Sequence, residues 1–301
     1  MSPAPLTRIG LYGNTQKVGM VECVRTVLAF LCAKGATVLL EDDVARQLPP
    51  EAACDAWRVA DRDTIARGSD VIVTFGGDGT ILNAIRTTLP HGTPILGVNL
   101  GKLGFLADIR TGDVLAALEH LLAGRYRIED RMTLAGTIEG GEAALTALND
   151  IVIGKGGIAR VVTIDMWVNG YFLATLMADG VILATPTGST AYSLATGGPI
   201  VVPSSNVIII SPISAHTLTA RPIIIPGDSI VELRVTAQEG DVMVMTDGEV
   251  LPQPRHVVSL HVQRGARDVR LIKDVGSDYF EMLRTKLSWA HDARLVKNSS
   301  N

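Results

Sequence analysis

The junction formed by residues 70–82 constrains the fold of this chain more than any other segment. Residues 70–75 read DVIVTF, a run of apolar and β-branched side chains that is typical of a buried strand. They lead directly into GGDGT at 76–80, and apolar residues at helical spacing follow within 81–85. A strand, a glycine loop and a helix in succession make up the repeating unit of a parallel α/β sheet.

The glycine loop suits phosphate binding, but its aspartate does not. Glycine has no Cβ, so the backbone N–H groups of such a loop can approach a phosphate closely, helped by the positive end of the following helix. Asp78 carries a carboxylate that repels a polyphosphate, so it needs a metal ion, a hydroxyl group or a proton as its partner. The alternative is that Asp78 caps the helix by accepting hydrogen bonds in its first turn. The loop alone leaves both roles open.

Composition and charge favour small molecules as ligands. The 301 residues are enough for two domains, and 47% hydrophobic but only 4% aromatic residues indicate aliphatic cores. The net charge is −4, and lysine and arginine form no continuous stripe. Neither nucleic acid nor an anionic membrane is therefore expected as the main partner.

The chain shows no targeting, membrane or disulfide pattern. A strand-like segment begins at Arg8 without a charged and apolar leader, and the most apolar later run, at 207–213, is short and contains a proline. We therefore expect a cytoplasmic protein. Cys23, Cys32 and Cys54 are odd in number and lack CxxC spacing, so we interpret them as small buried hydrophobic side chains.

The hydrophobic pattern divides the chain into two halves. Up to about Gly124, apolar strands alternate with helical segments, which predicts an α/β domain over residues 1–125. After that point the period changes to that of β-strands. The dipeptide Asn169-Gly170 between two alternating runs predicts a hairpin, and the number of such runs favours a β-sandwich over residues 126–275.

Helical spacing returns at the end of the chain. Tyr279, Phe280, Leu283 and Leu287 lie at the spacing of an amphipathic helix, which needs a partner surface. The first domain is the expected partner, so we add about 276–301 to it.

Three polar clusters interrupt the apolar runs of the second half. They are LND at 148–150, Asp179-Gly180, and the tract TPTGSTAYSLATGGP at 185–199. Each has an ordinary structural explanation on its own, as a turn or cap, a hairpin turn and a solvated loop.

Together with GGDGT, these segments resemble the NAD kinase family. The resemblance extends to NLGKLGFLAD at 99–108, DGVILATPTGSTAYSLATGGP at 179–199 and HTLTARPIIIP at 216–226, so it covers nearly the whole chain. GGDGT alone also resembles the nucleotide loop of diacylglycerol-type lipid kinases and phosphofructokinases. The resemblance implies a Rossmann-like N-terminal domain, a C-terminal β-sandwich, a C-terminal segment that returns to the first domain, and a homodimer or homotetramer.

The resemblance also implies an activity. It is transfer of the γ-phosphoryl group of ATP, with Mg²⁺ or another divalent cation, to the 2′-hydroxyl of the adenosine ribose of NAD to form NADP. The alternatives are a GGDGT-type lipid kinase and a non-catalytic NAD-binding regulator. No GxxxxGK[ST] or GxGxxG motif occurs, so a P-loop ATPase and an ordinary dinucleotide oxidoreductase are not favoured.

Asp78 is the predicted catalytic residue, either as the base for the ribose hydroxyl or as the group that orients it. No residue is assigned as a direct metal ligand. The predicted nucleotide- and substrate-binding residues are Gly76, Gly77, Asp78, Gly79, Thr80, Asn149, Asp150, Arg160, Asp179, Thr190, Ala191, Tyr192, Ser193, Ala195, Asp247 and Glu249.

Within this set, Asn149 and Asp150 match the family pair that holds NAD. Asp179 matches an aspartate that in some members reaches across the subunit interface. Glu249 stands where members often carry glutamine, which puts its own NAD contact in doubt, and Asp247 is expected to share the role.

Four further polar residues attract attention by type. His216 and Arg221 are expected to brace a loop through hydrogen bonds rather than to act in the reaction. Asn99 and Lys102 follow a predicted parallel strand at the edge where ligands bind. For these two, a nucleotide contact and a loop-stabilising role both remain open.

Overall fold

The computed structural model describes residues 6–49, 57–141, 144–157, 161–251, 256–274 and 276–288. The chain forms two compact units. Unit 1 comprises the chain up to Glu129 together with the chain from Arg270 onward, and unit 2 comprises Asp130–Val269. These boundaries lie a few residues from the predicted ones, because a strand runs through each of the two junctions.

Helices and strands alternate up to residue 125, and strands dominate from there to residue 274. The strands are β1 (Arg8–Gly13), β2 (Thr37–Glu41), β3 (Trp57–Ala60), β4 (Val71–Gly76), β5 (Ile95–Asn99), β6 (Ile109–Arg110), β7 (Tyr126–Arg131), β8 (Leu134–Ile138), β9 (Ala144–Ala147), β10 (Asp150–Gly156), β11 (Val162–Val168), β12 (Tyr171–Ala178), β13 (Gly180–Ala184), β14 (Val207–Ile213), β15 (Ile223–Pro226), β16 (Val231–Ala237), β17 (Asp241–Thr246), β18 (Glu249–Val250), β19 (Val257–Arg264) and β20 (Val269–Asp274). The helices are α1 (Met20–Ala33), α2 (Asp42–Ala45), α3 (Arg62–Gly68), α4 (Asp78–Thr88), α5 (Val114–Leu122), α6 (Tyr192–Ala195) and α7 (Tyr279–Leu287), and short 3-10 helices cover Leu89–His91, Thr111–Asp113 and Thr187–Thr190.

Unit 1 is built on a largely parallel sheet, as predicted for a Rossmann-like domain. Its strand order is β3-β2-β1-β4-β5-β20-β7, with β6 paired to β5, and the strands from β3 to β5 are parallel. The chain reverses its direction of winding between β1 and β4, and open α/β sheets bind ligands at the carboxyl ends of strands at such a point. The GGDGT segment begins at the carboxyl end of β4.

The sequence pattern did not indicate β3 and α3. The strand is only four residues long and lies at the sheet edge, with two exposed and two half-buried residues, so it shows no apolar run. Asp61 caps α3, since its carboxylate accepts a hydrogen bond from the N–H of Thr64 at 2.9 Å.

Unit 2 is an antiparallel β-sandwich, which confirms the predicted class. One sheet has the order β15-β14-β13-β10-β17-β18 and the other β12-β11-β16-β19-β8-β9. Their inward-facing aliphatic side chains form one core. The predicted hairpin joins β11 and β12, and Asn169 and Gly170 both have positive φ, at 52° and 78°, as a tight two-residue turn requires.

The C-terminal helix α7 belongs to unit 1, as predicted. It begins one residue after Asp278, whose carboxylate accepts a hydrogen bond from the N–H of Phe280 at 2.9 Å, and it buries Met282 and Leu283. Across the described residues, no helix is both long and apolar enough to cross a bilayer.

The interpretation of the cysteines needs a correction. Cys23 is a free thiol buried in the unit 1 core, as expected, but Cys32 takes part in a disulfide. Spacing could not reveal this bond, because a disulfide joins residues that the fold brings together.

Candidate active site

The GGDGT segment forms the end of β4 and the start of α4. Gly76 is the last residue of the strand, and a Cβ there would lie 2.0 Å from Oγ1 of Thr80, so the close turn excludes any larger residue. Thr80 accepts a hydrogen bond from the N–H of Gly77 at 3.3 Å and donates its own N–H to the Gly77 carbonyl at 2.9 Å. The helix then begins at Asp78, and the N–H groups of Asp78 and Gly79 have no intrahelical acceptor.

The Asp78 carboxylate binds a second loop rather than its own helix. Oδ1 accepts the N–H groups of Leu106 at 3.0 Å and Ala107 at 3.1 Å, and Oδ2 accepts the N–H of Phe105 at 2.9 Å. The N-cap position belongs to Gly77, so the cap role left open for Asp78 is wrong. A carboxylate has about four acceptor positions. Three are occupied here, and the remaining one is on Oδ2.

The loop that holds Asp78 follows β5 and is shaped by two residues. Gly104 comes so close that a Cβ at this position would lie 1.9 Å from Oδ1 of Asp78. The Asn99 amide donates to the carbonyls of Lys102 at 2.7 Å and Ala107 at 3.2 Å and accepts the N–H of Gly101 at 2.7 Å. Of the two roles left open for Asn99, the structure supports the loop-stabilising one. The side chain of Lys102 is exposed.

A buried ion pair supports the same loop. Nζ of Lys273 lies 2.9 Å from Oδ2 of Asp108 and donates to the carbonyl of Leu106 at 3.2 Å, and the lysine side chain is only 2% exposed. The Ser277 hydroxyl also donates to Oδ2 of Asp108, at 2.9 Å. Sequence reasoning missed this pair, because a lone lysine in a strand and a lone aspartate in a loop carry no spacing signal.

A second lysine that sequence reasoning missed approaches Asp78 from α7. Nζ of Lys286 lies 3.8 Å from Oδ2 of Asp78 and 4.8 Å from the centre of the Phe105 ring. The only available signal was the amphipathic pattern of residues 277–289, which predicted packing against the first domain but not which side chain would reach a ligand.

In unit 2, Asp247 organises the LND segment. It occupies the turn between β17 and β18 with φ 50°, and its carboxylate accepts the N–H groups of Leu148 at 2.9 Å, Asn149 at 2.7 Å and Asp150 at 3.2 Å. The structure thus brings together three predicted site residues, with Asp247 holding the backbone of the other two. Glu249 is exposed on β18, opposite Thr246.

The start of the Thr/Gly-rich tract holds the LND segment from its other side. Thr185 donates its N–H to the carbonyl of Asn149 at 2.9 Å and its hydroxyl to that of Leu148 at 2.6 Å. A Cβ on Gly188 would lie 2.0 Å from the Asn149 carbonyl oxygen, so only glycine permits this approach. The half-buried side chain of Asn149 makes no hydrogen bond with another described residue, so its amide is available to a ligand.

Asp150 is a buried carboxyl group within this arrangement. Burial, and secondarily the negative charge of Asp247, raise the pKa of Asp150 from 3.8 to about 7. The group therefore changes charge near neutral pH. The burial of Asp150 could not be read from the sequence.

Side chains of the tract at 190–195 point in different directions. Tyr192 is 42% exposed at the start of α6, and Ala195 is exposed at its end. Ser193 is buried with its Oγ 3.0 Å from Oγ of Ser211, and the Thr190 hydroxyl donates to the carbonyl of Thr187 at 3.2 Å. Tyr192 thus has a free ring face, whereas the Ser193 hydroxyl packs inward; the predicted ligand contacts of Ser193, Thr190 and Ala191 stay predictions.

Comparison with known proteins decides the family. The model of the ATP-NAD kinase N-terminal domain matches residues 9–126, and that of the ATP-NAD kinase C-terminal domain matches residues 148–274. This chain belongs to the NAD kinase family. Curated NAD kinases of Geotalea daltonii and Moorella thermoacetica are 38% and 40% identical to it over 287 and 284 residues, covering 94% of this chain in each case and 99% and 89% of the relatives.

Solved structures agree with this assignment. A yeast NADH kinase complexed with NADH superposes with a TM-score of 0.85 at 25% identity, covering 96% of this chain and 89% of the other. An NAD kinase from Archaeoglobus fulgidus in complex with ATP gives a TM-score of 0.71 at 21% identity, covering 93% and 98% of the two chains, which supports the fold.

One predicted site residue, Asp179, does not join the cluster. Asp179 pairs with Nζ of Lys155 at 2.7 Å at one end of the β10–β13 pair, whereas Asn149 and Asp150 lie at the other end, about 15 Å away at about 3.4 Å per residue. Arg160 lies outside the described residues.

The two residues expected to brace a loop lie on the surface of unit 2. The Arg221 guanidinium donates to the carbonyls of Leu218 and Ala220, both at 2.7 Å, as a bracing role requires. His216 is exposed, and its backbone N–H donates to the carbonyl of Met177 at 2.9 Å.

The described residues contain no group of three or more His, Cys, Asp or Glu side chains able to hold a metal ion. Magnesium usually enters kinase sites with the ATP phosphates and uses only one or two protein carboxylates. A site with one or two protein carboxylates is smaller than such a group.

Proposed function

We propose that this protein transfers the γ-phosphoryl group of ATP to the 2′-hydroxyl of the adenosine ribose of NAD and so produces NADP. Membership of the NAD kinase family over both units supports the activity. The observation that carries the chemistry is the Asp78 carboxylate, which is fixed by three backbone N–H groups and keeps one acceptor position on Oδ2.

Phosphoryl transfer depends mainly on positioning and on electrostatic stabilisation. The ribose hydroxyl donates its hydrogen to the remaining acceptor position of Asp78, which orients the hydroxyl oxygen toward the γ-phosphorus. Since the loop already fixes Asp78, this orientation is prepared before the substrate binds. The same atom can accept the proton as the new O–P bond forms.

The glycines around Asp78 receive the phosphate chain. A Cβ at Gly77 or Gly79 would meet open space, so the loop leaves room for phosphate oxygens over the first turn of α4. The eleven-residue helix directs its positive end and its first amides to the same place. A divalent cation that accompanies ATP offsets the charge of Asp78.

The LND segment and the following tract recognise NAD in this proposal. The free Asn149 amide can pair with the adenine edge, while the Asp150 carboxyl can bond ribose hydroxyls. Tyr192 offers an exposed ring face to a base. Asp247 acts on this site through the backbone that it holds, and Glu249 is too exposed to share that role.

We further propose that the protein is a homodimer or homotetramer. Asp179 lies at the far end of the β10–β13 pair from Asn149, so it suits the NAD site of a neighbouring subunit better than that of its own. Light scattering of the purified protein measures the oligomeric state directly. A cytoplasmic location stays a prediction from the sequence.

The alternative functions have less support. A GGDGT-type lipid kinase shares one loop with this chain, whereas both NAD kinase domain models match here. A regulator without activity would have no need for an Asp78 carboxylate held with a vacant acceptor position.

The decisive experiment is a panel of phosphate donors and acceptors. We expect the purified protein with ATP, Mg²⁺ and NAD to form a product that mass spectrometry identifies as NADP. The same panel includes NADH and inorganic polyphosphate, which defines acceptor and donor together. Absence of any phosphorylated dinucleotide with every donor and metal would disprove the enzyme proposal.

Replacing Tyr192 with alanine is expected to raise KM for NAD with little change in kcat. The exposed ring is proposed to contact a base of NAD, which takes no part in bond formation, so its loss removes binding that is equal in the ground state and the transition state. Tyr192→Phe, which keeps the ring face, should retain the normal KM. A decrease in kcat alone for Tyr192→Ala would show that this side chain does not line the ground-state site.

A further inference from the structure

We propose that Lys286 is a catalytic residue whose ammonium group contacts the γ-phosphoryl group as it moves to the ribose hydroxyl. This inference rests on the proposed function and deepens it. It assigns a role to a residue of the C-terminal helix, outside every motif that identified the family.

Contacts within unit 1 determine where Lys286 lies. It lies one turn after the buried Met282 on α7, and its side chain is only 28% exposed. The start of α7 is attached to the loop at 104–108, since Ser277 donates to Asp108. The ammonium group lies over the ring of Phe105, and the backbone N–H of the same residue donates to Oδ2 of Asp78. Helix, loop and catalytic carboxylate are thus connected through described contacts within unit 1.

The ion pair with Asp78 leaves the N–H donors of the Lys286 ammonium group available for hydrogen bonds. The distance of 3.8 Å between Nζ and Oδ2 exceeds a hydrogen bond, and Lys286 makes no hydrogen bond with any other described residue. An ion pair whose partners are 28% and 30% exposed contributes little to stability. Fold stability therefore does not explain why a lysine with three free donors is placed here.

The charge balance of the site points to an anion as the missing partner. GGDGT contains no basic residue, in contrast to a P-loop, where a lysine contacts the phosphates. Lys286 is the cation within 4.0 Å of the Asp78 carboxylate in the described part of the chain. Lys286 thus places a cation of the protein beside that carboxylate, in addition to the divalent cation that accompanies ATP.

The distances fit contact with the transferred group. A hydroxyl bound to Oδ2 places its oxygen about 2.7 Å from that atom, and an attacking atom lies about 3–3.5 Å from its target in a reactive arrangement. These lengths place the γ-phosphorus at most about 6 Å from Oδ2. When it lies on the side of Oδ2 that faces Nζ, rotation of the ammonium group brings an N–H to a non-bridging γ-oxygen.

The step balances without any further reactant. The bond between the ribose oxygen and the γ-phosphorus forms as the bond from that phosphorus to the β–γ bridging oxygen breaks, and ADP leaves. The hydroxyl proton passes to Oδ2 of Asp78. Lys286 keeps its proton and donates a hydrogen bond to a non-bridging γ-oxygen, on which charge is redistributed in the transition state.

The test compares Lys286→Met with Lys286→Arg. Methionine keeps an unbranched chain over Phe105 but removes the charge, so we expect kcat to fall on the order of 100-fold, as for other single donors at a transition-state charge, with KM for NAD unchanged. Arginine should recover part of kcat. Arg284→Met, on the same helix with its cation 55% exposed, is the matched control and should keep normal activity.

Replacing a γ-oxygen of ATP with sulfur distinguishes a direct contact between Lys286 and the γ-phosphoryl group from an indirect effect of the substitution on kcat. Wild type should react more slowly with ATPγS, which carries sulfur on the γ-phosphorus, than with ATP, and this ratio should shrink in Lys286→Met because the contacting donor is gone. An unchanged ratio, or kcat within twofold of wild type, would overturn the role of Lys286 while leaving NAD kinase activity in place. A wild-type protein that forms no NADP would instead refute the proposed function, and this inference with it.

Discussion

Replacing Asp78 with asparagine is expected to lower kcat for NADP formation by a hundredfold or more, on the scale of a lost general base. Asparagine has one oxygen and one NH₂ group in place of two carboxylate oxygens. If its oxygen keeps the bonds from Leu106 and Ala107, its NH₂ group replaces Oδ2 and faces the N–H of Phe105. The acceptor for the ribose hydroxyl is then lost.

Steady-state kinetics with NAD and ATP measure this effect. KM for NAD should stay close to wild type, because the residues proposed to bind NAD belong to unit 2. Asp42→Asn is the matched control, since Asp42 is also the first residue of its helix but is exposed and pairs with Arg46. The Tm of both variants shows whether losing a hydrogen bond between residue 78 and the loop at 104–107 has destabilised the protein. Near-normal turnover in Asp78→Asn would remove Asp78 from the reaction.

Replacing Asp150 with asparagine is expected to stabilise the folded protein at pH 8 but much less at pH 5. The pKa of Asp150 is about 7 in the folded protein and 3.8 ordinarily, so between these values the folded state binds a proton that the unfolded state has released. Stability therefore falls as the pH rises toward 7 and levels off above it. One pKa unit corresponds to about 1.4 kcal/mol, so wild type loses about 2 kcal/mol between pH 5 and pH 7, where the group is half ionised, and about 3 kcal/mol by pH 8.

Denaturant unfolding of wild type and Asp150→Asn at pH 5 and pH 8 tests this expectation. The stability difference between the two proteins should grow by about 3 kcal/mol from the lower to the higher pH. Asp228→Asn, which changes an exposed carboxyl group of the same unit, should show no such growth. A difference between wild type and Asp150→Asn that is the same at both pH values would contradict the raised pKa.

The raised pKa of Asp150 matters for function as well. A carboxyl group that costs folding free energy when ionised is retained where a ligand can use it, and buried titratable groups cluster at such sites. NAD binding by Asp150→Asn, measured by calorimetry alongside the unfolding experiments, shows whether the stability gained is accompanied by lost affinity.

Much of the fold followed from local patterns. The alternation of strands and helices in the first half, the two-residue periodicity in the second and the Asn169-Gly170 turn depend on residues close together in the chain. Exceptions occurred where local signals are weak, as in the four-residue edge strand β3, or where a bond depends on distant residues, as in the disulfide of Cys32.

The sequence predicted which residues belong to the candidate site but not the role of each residue. Motif order placed Asn149, Asp150 and Asp247 in one site, yet only the structure showed that Asp247 holds the backbone of the other two and that Asp150 is buried. Motif order also grouped Asp179 with them, although it lies at the far end of the same strand pair.

By itself, the sequence determined that a glycine loop with one aspartate joins a buried strand to a helix, because glycine content and periodicity act over a few residues. The tertiary structure decided what the aspartate does. Its N–H donors lie 27 to 29 residues along the chain, and its neighbouring lysine comes from the C-terminal helix. Such partners meet only when the sheet and its helices pack, so no local pattern could identify them.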